Sequence, residues 1–326
     1  MRVAVIGATG ALGGELLAVL DESALAIDAL VPIATDRSLG TDVEFQGAAM
    51  PVETELGALR GSQLAFLCAP PSASLEAVRT CLHAKVPALD CSGSLATAPE
   101  VPLVVDADAM DDAALVAPVV ALATGSALAA ARVLAPLART FGITRVVATL
   151  LESASGAGRL GVQALSEETI ALLSQRDAPE PPSLGHPVAF DVLPWIGAID
   201  ADGDCEAERR FTAVLGRVLG GVAVCATALR TPVFCGEGMA LAVEGPTPIG
   251  VAAAREALAK VEGIELPDTP PTTRAAAGSA SIHVGRLRRD PSRANGLLLW
   301  AAADGLRLTA AHAVRVAEAR FGRGSG

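Results

Sequence analysis

The chain has 326 residues, a length suited to about two domains at roughly 150 residues each. Hydrophobic residues make up 51% and charged residues 19%, so a large core is available and a disordered chain is excluded. A formal net charge of −11, from 25 Lys and Arg against 36 Asp and Glu, argues against a nucleic-acid or anionic-membrane surface, both of which require a basic face.

Residues 2–6 read as a β-branched first strand that runs straight into a glycine turn, Gly7-Ala-Thr-Gly10-Ala-Leu-Gly13; a signal peptide would carry a longer apolar stretch. Leu16, Leu17 and Leu20 then mark a helix. Short apolar strands are predicted at Ala26–Ile33, Leu64–Cys68, Ala88–Asp90 and Leu103–Val105, with helical spacing over Leu75–His83. Alternating strands and helices argue for an open parallel sheet. Residues 113–131 carry no charge, but Pro118 and Thr124-Gly125-Ser126 interrupt the run. We read a buried strand over Val119–Ala123, a turn at 124–126 and a helix over Leu128–Leu137, not a membrane span.

The pattern changes after about residue 140. Arg145–Ser153, Gly221–Thr231 and Met239–Glu244 read as longer strands, and Ser281–Arg289 and Leu297–Asp304 as a hairpin around Asp290–Gly296. Helices are predicted over Leu160–Ser174, Glu206–Leu219 and about 306–321, the last with Ala310, Val314, Ala317 and Phe321 on one face. Asp177–Ser183 reads as a surface loop. The second half thus suggests a mixed or antiparallel sheet.

Gly7-x-x-Gly10-x-x-Gly13, between a strand and a helix, allows a tight turn and close approach of a pyrophosphate to the backbone of Thr9, Ala11 and Leu12 at a helix N-terminus. After the second strand, Arg37 and Ser38 favour the 2′-phosphate of NADP, whereas Asp36 beside them is the residue type that meets the ribose of NAD. The six cysteines, Cys68, Cys81, Cys91, Cys205, Cys225 and Cys235, have neither CxxC pairing nor zinc spacing, which points to free thiols in a cytoplasmic protein and to no metal. No Tyr is present, so no tyrosine general acid is available. His83, His186, His283 and His312 are the whole supply of imidazole.

Taken together, the glycine turn, Asp36-Arg-Ser-Leu-Gly40, Leu89-Asp-Cys-Ser-Gly93, Val101-Pro-Leu-Val-Val105, Ser155-Gly-Ala-Gly158, Phe190-Asp-Val-Leu-Pro194, Arg230-Thr-Pro-Val-Phe234, Val284-Gly-Arg-Leu-Arg288 and Asn295-Gly-Leu-Leu-Leu-Trp300 resemble the aspartate-semialdehyde dehydrogenases, in family order over essentially the whole chain. The resemblance implies an α/β fold. A Rossmann-type domain would span 1–127 plus 305–326, and a mixed-sheet catalytic-type dimerisation domain 128–304, forming a homodimer. It also implies a phosphorylating semialdehyde oxidoreductase of amino-acid biosynthesis: a cysteine thioester, hydride exchange with NADP, a His acid–base and an Arg on the substrate carboxylate. Ser155, Gly156 and Gly158 would line the cofactor.

Carried over position by position, that chemistry is interrupted. The nucleophile position falls on Gly125, between Thr124 and Ser126; the Gln position on Glu152; the His position on Glu237; the phosphate-binding Arg on Ala96; a lysine on Arg210; and the polar residue before the last helix on Gly305. Arg230, for the substrate carboxylate, is retained. Loss of one member of such a unit costs on the order of 10⁴–10⁶ in turnover. The pattern looks most like the Usg-type paralogues and implies a pseudoenzyme or regulatory protein. The alternatives are an active NADP-dependent semialdehyde dehydrogenase using non-standard residues, with Cys235, Cys91, Ser126 or Thr124 as substitute nucleophile, and a partner-binding scaffold. Glu152 and Glu237 are expected to join Arg230 and Arg210 in an ion-pair network in which both carboxylates are charged.

Overall fold

A computed structural model describes residues 1–177 and 183–322. Most of the expected loop over Asp177–Ser183, residues 178–182, lies outside the described residues. The chain divides into two compact units, Met1–Thr124 with Thr309–Gly326, and Gly125–Leu308.

The first unit contains β1 (Arg2–Ile6), α1 (Ala11–Asp21), β2 (Ala29–Ile33), β3 (Asp42–Phe45), β4 (Ala48–Pro51), β5 (Leu64–Leu67), α2 (Pro71–Ala84), β6 (Ala88–Asp90), β7 (Leu103–Val104), α3 (Asp112–Val116) and β8 (Val119–Leu122). Six strands form one sheet in the order β2-β1-β5-β6-β8-β7, every pair parallel. Alternation along β1 splits its side chains between two cores. Val3 and Val5 join Leu16 and Leu20 of α1 and, near the C-terminus, Ala310, Val314 and Ala317. Ala4 and Ile6 join Ala77 and Cys81 of α2. A parallel sheet covered on both faces needs such continuous apolar strands. The β2 strand starts at Ala29, three residues later than its sequence suggested: Met1 O accepts from Asp28 N just before pairing with β1 begins at Arg2↔Ala29.

The second unit contains α4 (Gly125–Phe141), β9 (Arg145–Glu152), α5 (Gly158–Leu173), α6 (Glu206–Leu219), β10 (Ala223–Arg230), β11 (Glu237–Glu244), α7 (Val251–Ala259), β12 (Ile264–Glu265), α8 (Thr273–Ala276), β13 (Ile282–Arg289) and β14 (Gly296–Ala303). The last helix, α9 (Gly305–Phe321), begins here and ends in the first unit. The sheet is mixed, in the order β10-β9-β11-β14-β13-β12. One face is buried through Val146, Ala148 and Leu150, Met239, Leu241 and Val243, and Leu297, Leu299 and Ala301. Helix α4, buried along Leu128, Val133, Leu134 and Leu137, contacts β11, β14, α6 and α7. The other face presents Val147, Thr149, Ala240, Ala242, Leu298 and Trp300, half-buried or exposed.

Two elements differ from expectation in ways that matter for function. Residues 125 and 126 are not a free turn: helix α4 already begins at Gly125, with φ of 51°, and runs past Pro136 to Phe141. Strand β11 begins at Glu237, not Met239, because Glu237 pairs with Ala303 of β14. Both shifts move site positions from loops onto rigid elements.

Candidate active site

In the first unit, β1 leads into the glycine turn at the point where strand order reverses, β2 lying on one side of β1 and β5 on the other. Ligands of open α/β sheets bind at this crevice. The glycines are sterically required. A Cβ at Gly7, whose φ is 84°, would lie 2.7 Å from Ala69 N, and one at Gly13 would lie 2.1 Å from Gly7 O. Gly10 N donates to Gly7 O at 2.9 Å and closes the turn. No side chain caps α1 at Gly10, and the first-turn N–H groups of a helix, here Ala11, Leu12 and Gly13, have no intrahelical acceptor. Thr9 Oγ1 and Ser38 Oγ, 2.9 Å apart, clamp the turn to the segment after β2, where Asp36 and Arg37 are exposed. A cradle that only glycine can form, facing open helix N–H groups, fits a pyrophosphate.

The second cluster lies wholly in the second unit, where α4 starts and β9, β10 and β11 meet. Glu152 ends β9 and pairs in register with Arg230, the last residue of β10. Arg230 is 7% exposed; its Nη1 donates to Ser153 O and lies 4.0 Å from Glu152 Oε2. A Cβ at Gly156 would sit 2.8 Å from that Nη1, so the Ser155–Gly158 segment passes directly against Arg230. Ser155 Oγ is 2.9 Å from Ser153 Oγ. Ser126, in the first turn of α4, donates its hydroxyl to Glu152 Oε1 at 3.0 Å.

Glu237 fills the centre. It is 6% exposed, and its Oε2 has no hydrogen-bond partner among the described residues. A Cβ at Gly125 would stand 3.6 Å from Oε2 and 3.8 Å from Oε1; one at Gly305 would stand 2.4 Å from Oε1. Burial pushes the Glu237 carboxyl up to about 8; Glu152 adds to this, Arg230 opposes it, and Asp304 raises it further. Burial thus favours the protonated form of Glu237. This corrects the expectation of two charged carboxylates: desolvation together with a like charge outweighs the single guanidinium. Arg210 does not supply the second cation, since its guanidinium pairs with Glu206 one turn earlier on α6. Asp304 was not foreseen. It caps α9 through Leu306 N and Arg307 N and holds Gly278 N, and a buried Asp just before a helix is the signal that would have drawn notice.

The other candidates have surroundings of their own. Cys91 is buried, and its thiol is raised well above the ordinary value by a hydrogen bond to Cys68 and by burial, which makes it a poor nucleophile. Cys235 is exposed, and Ala96 is 2% exposed. His312 Nε2 meets Val104 O, His283 faces Glu265, His186 packs edge-on to Trp195, and His83 is exposed on α2. Among the described residues no group of three His, Cys, Asp or Glu is arranged to hold a metal, and no helix is long and apolar enough to cross a membrane.

Two family models match the chain in series: the NAD binding domain of semialdehyde dehydrogenase over residues 2–114 and its dimerisation domain over residues 134–308. The chain belongs to the semialdehyde dehydrogenase family. Among relatives of this family, an aspartate-semialdehyde dehydrogenase of Synechocystis sp. is 32% identical over 333 residues, covering 99% of this chain and 98% of that protein. A USG-1 protein homolog of Pseudomonas aeruginosa is also 32% identical, covering 95% of this chain and 94% of its own length. The structure of aspartate semialdehyde dehydrogenase II from Vibrio cholerae complexed with ASA matches with a TM-score of 0.92 at 28% identity, over 99% of both chains. The semialdehyde dehydrogenase fold is thus present end to end, as an α/β parallel-sheet domain followed by a mixed-sheet domain.

Proposed function

We propose that this member of the family is an NADP-binding paralogue that has lost cysteine-thioester chemistry and acts as a pseudoenzyme or regulatory protein. One observation carries the reading: the buried, neutral Glu237 carboxyl stands over Gly125, the position that the resemblance assigns to the nucleophile, and Gly305 makes room for it. With neither thiol nor imidazole there, no hemithioacetal forms at position 125. Gly7, Thr9, Gly10, Ala11, Leu12 and Gly13 would hold the pyrophosphate, with Arg37 and Ser38 on a 2′-phosphate; the bound nucleotide supplies hydride chemistry only where a substrate can be activated. The roles of Ser155, Gly156 and Gly158 toward the cofactor rest on the resemblance.

Domain limits of 1–127 with 305–326 and of 128–304 are supported by the division of the chain at Gly125 and Leu308. A homodimer through the second domain is supported by the family's dimerisation domain and by the apolar sheet face around Ala240, Leu298 and Trp300. A cytoplasmic setting accords with six free cysteines.

A second reading has its own support. Arg230 is retained, and the likeness to the Vibrio cholerae enzyme spans the whole chain; an active NADP-dependent semialdehyde dehydrogenase would then use other residues. Calorimetric titration with NADPH and NADH tests the first reading. Binding that favours NADPH supports a nucleotide-binding paralogue, whereas heat no greater than dilution for either nucleotide leaves only a scaffold.

A further inference from the structure

The replaced site holds a serine hydroxyl against a carboxylate, Ser126 on Glu152. We propose that Ser126 and Glu152 form a nucleophile–base pair, with Glu237 as proton donor, able to cleave short-chain carboxylic esters by acyl transfer through Ser126. The inference rests on the reading that position 125 no longer supplies the nucleophile.

Three observations converge. Ser126 Oγ donates to Glu152 Oε1 at 3.0 Å, the contact a hydroxyl needs if its proton is to leave as it attacks. Arg230 lies on the other oxygen of Glu152, 4.0 Å away, and in register across β9 and β10, so the base is oriented by a third group. Glu237 is buried, its Oε2 has no hydrogen-bond partner among the described residues and lies 3.6 Å from where a Cβ at Gly125 would stand, and burial raises its carboxyl to about 8. No histidine is required in this arrangement, because two carboxyls stand where an acid and a base are needed.

The step balances without any other reactant than water. Ser126 Oγ bonds to the ester carbonyl carbon while its proton passes to Glu152. Collapse of the intermediate breaks the bond to the leaving oxygen, which takes the Glu237 proton and departs as an alcohol. Water then attacks acyl-Ser126, giving its proton to the Glu237 carboxylate, and Glu152 returns its proton to Ser126. The net reaction is ester plus water to acid plus alcohol.

The test is labelling of the full-length protein with a fluorophosphonate, read by peptide mapping, beside hydrolysis of p-nitrophenyl acetate. The label is expected on Ser126, with hydrolysis lowered about 100-fold in both S126A and E152Q. E152Q keeps the Ser126 hydroxyl, and both variants are checked for unchanged thermal unfolding. H83Q, at an exposed position on α2 in the first unit, keeps parent hydrolysis. A label elsewhere, or hydrolysis equal in parent and S126A, overturns the proposal. Semialdehyde turnover is measured separately, so loss of ester cleavage leaves the thioester reading standing or falling on its own assay.

Discussion

A side chain at position 305 would place its Cβ 2.4 Å from Glu237 Oε1, so the buried carboxyl could keep this place beside a larger residue 305 only by shifting. The two positions, far apart in sequence, are one structural unit. G305A should therefore destabilise the protein by about 1–3 kcal/mol through overpacking against the carboxyl. The E237A change should remove most of that penalty, giving a coupling of about 1 kcal/mol or more in a double-mutant cycle measured by denaturant unfolding.

The protonation of Glu237 links the site to pH. Its pKa is about 8 in the folded protein against an ordinary 4.5. A raised acid contributes stability that is fully present below the unfolded value and is lost as pH rises through the folded one. Between about pH 4.5 and 8 the parent should lose stability relative to E237Q, whose amide stays neutral, by on the order of a few kcal/mol in total. Above pH 8 the difference should level off. Parallel thermal melts of the two proteins across this range measure it.

Restoring a thiol alone should not restore chemistry. Gly125 sits at φ of 51°, a conformation that strains other residues, and the Glu237 carboxyl stands 3.6 Å from the incoming Cβ. G125C is expected to show no semialdehyde oxidation above the parent. Combining G125C with E237H and E152Q removes the obstructing acid and supplies an imidazole, and should raise turnover at least about 100-fold over G125C.

The nucleotide cradle makes a separable prediction. Arg37 is exposed after β2, close to the Thr9–Ser38 clamp. R37A should weaken NADPH binding about tenfold, the loss of one charged contact, and leave NADH binding unchanged. Fluorescence titration with each nucleotide decides this.

Much of this was legible in the sequence. The spacing of Gly7, Gly10 and Gly13 reflects local sterics, and the strands over 2–6, 88–90 and 145–152 follow from continuous or alternating apolar runs. The proximity of Glu237 to Gly125 was expected from the family resemblance, which assigns both positions to one site. What was hidden depended on distant partners. The charge state of Glu237 is set by burial and by Glu152, which no local pattern records. The pairing of Arg210 with Glu206 is a one-turn contact on its own helix that outcompeted the expected long-range role. The base beneath Ser126 emerged only when β9 brought Glu152 to the start of α4.

If Glu237 over Gly125 has replaced the thioester machinery, as proposed, steady-state NADPH formation from aspartate semialdehyde, NADP and phosphate at saturating nucleotide decides it. The parent protein is then expected to give a rate no greater than that of the same mixture with E237A or with no protein. NADPH formation by the parent that is saturable in semialdehyde and lost in E237A would contradict it.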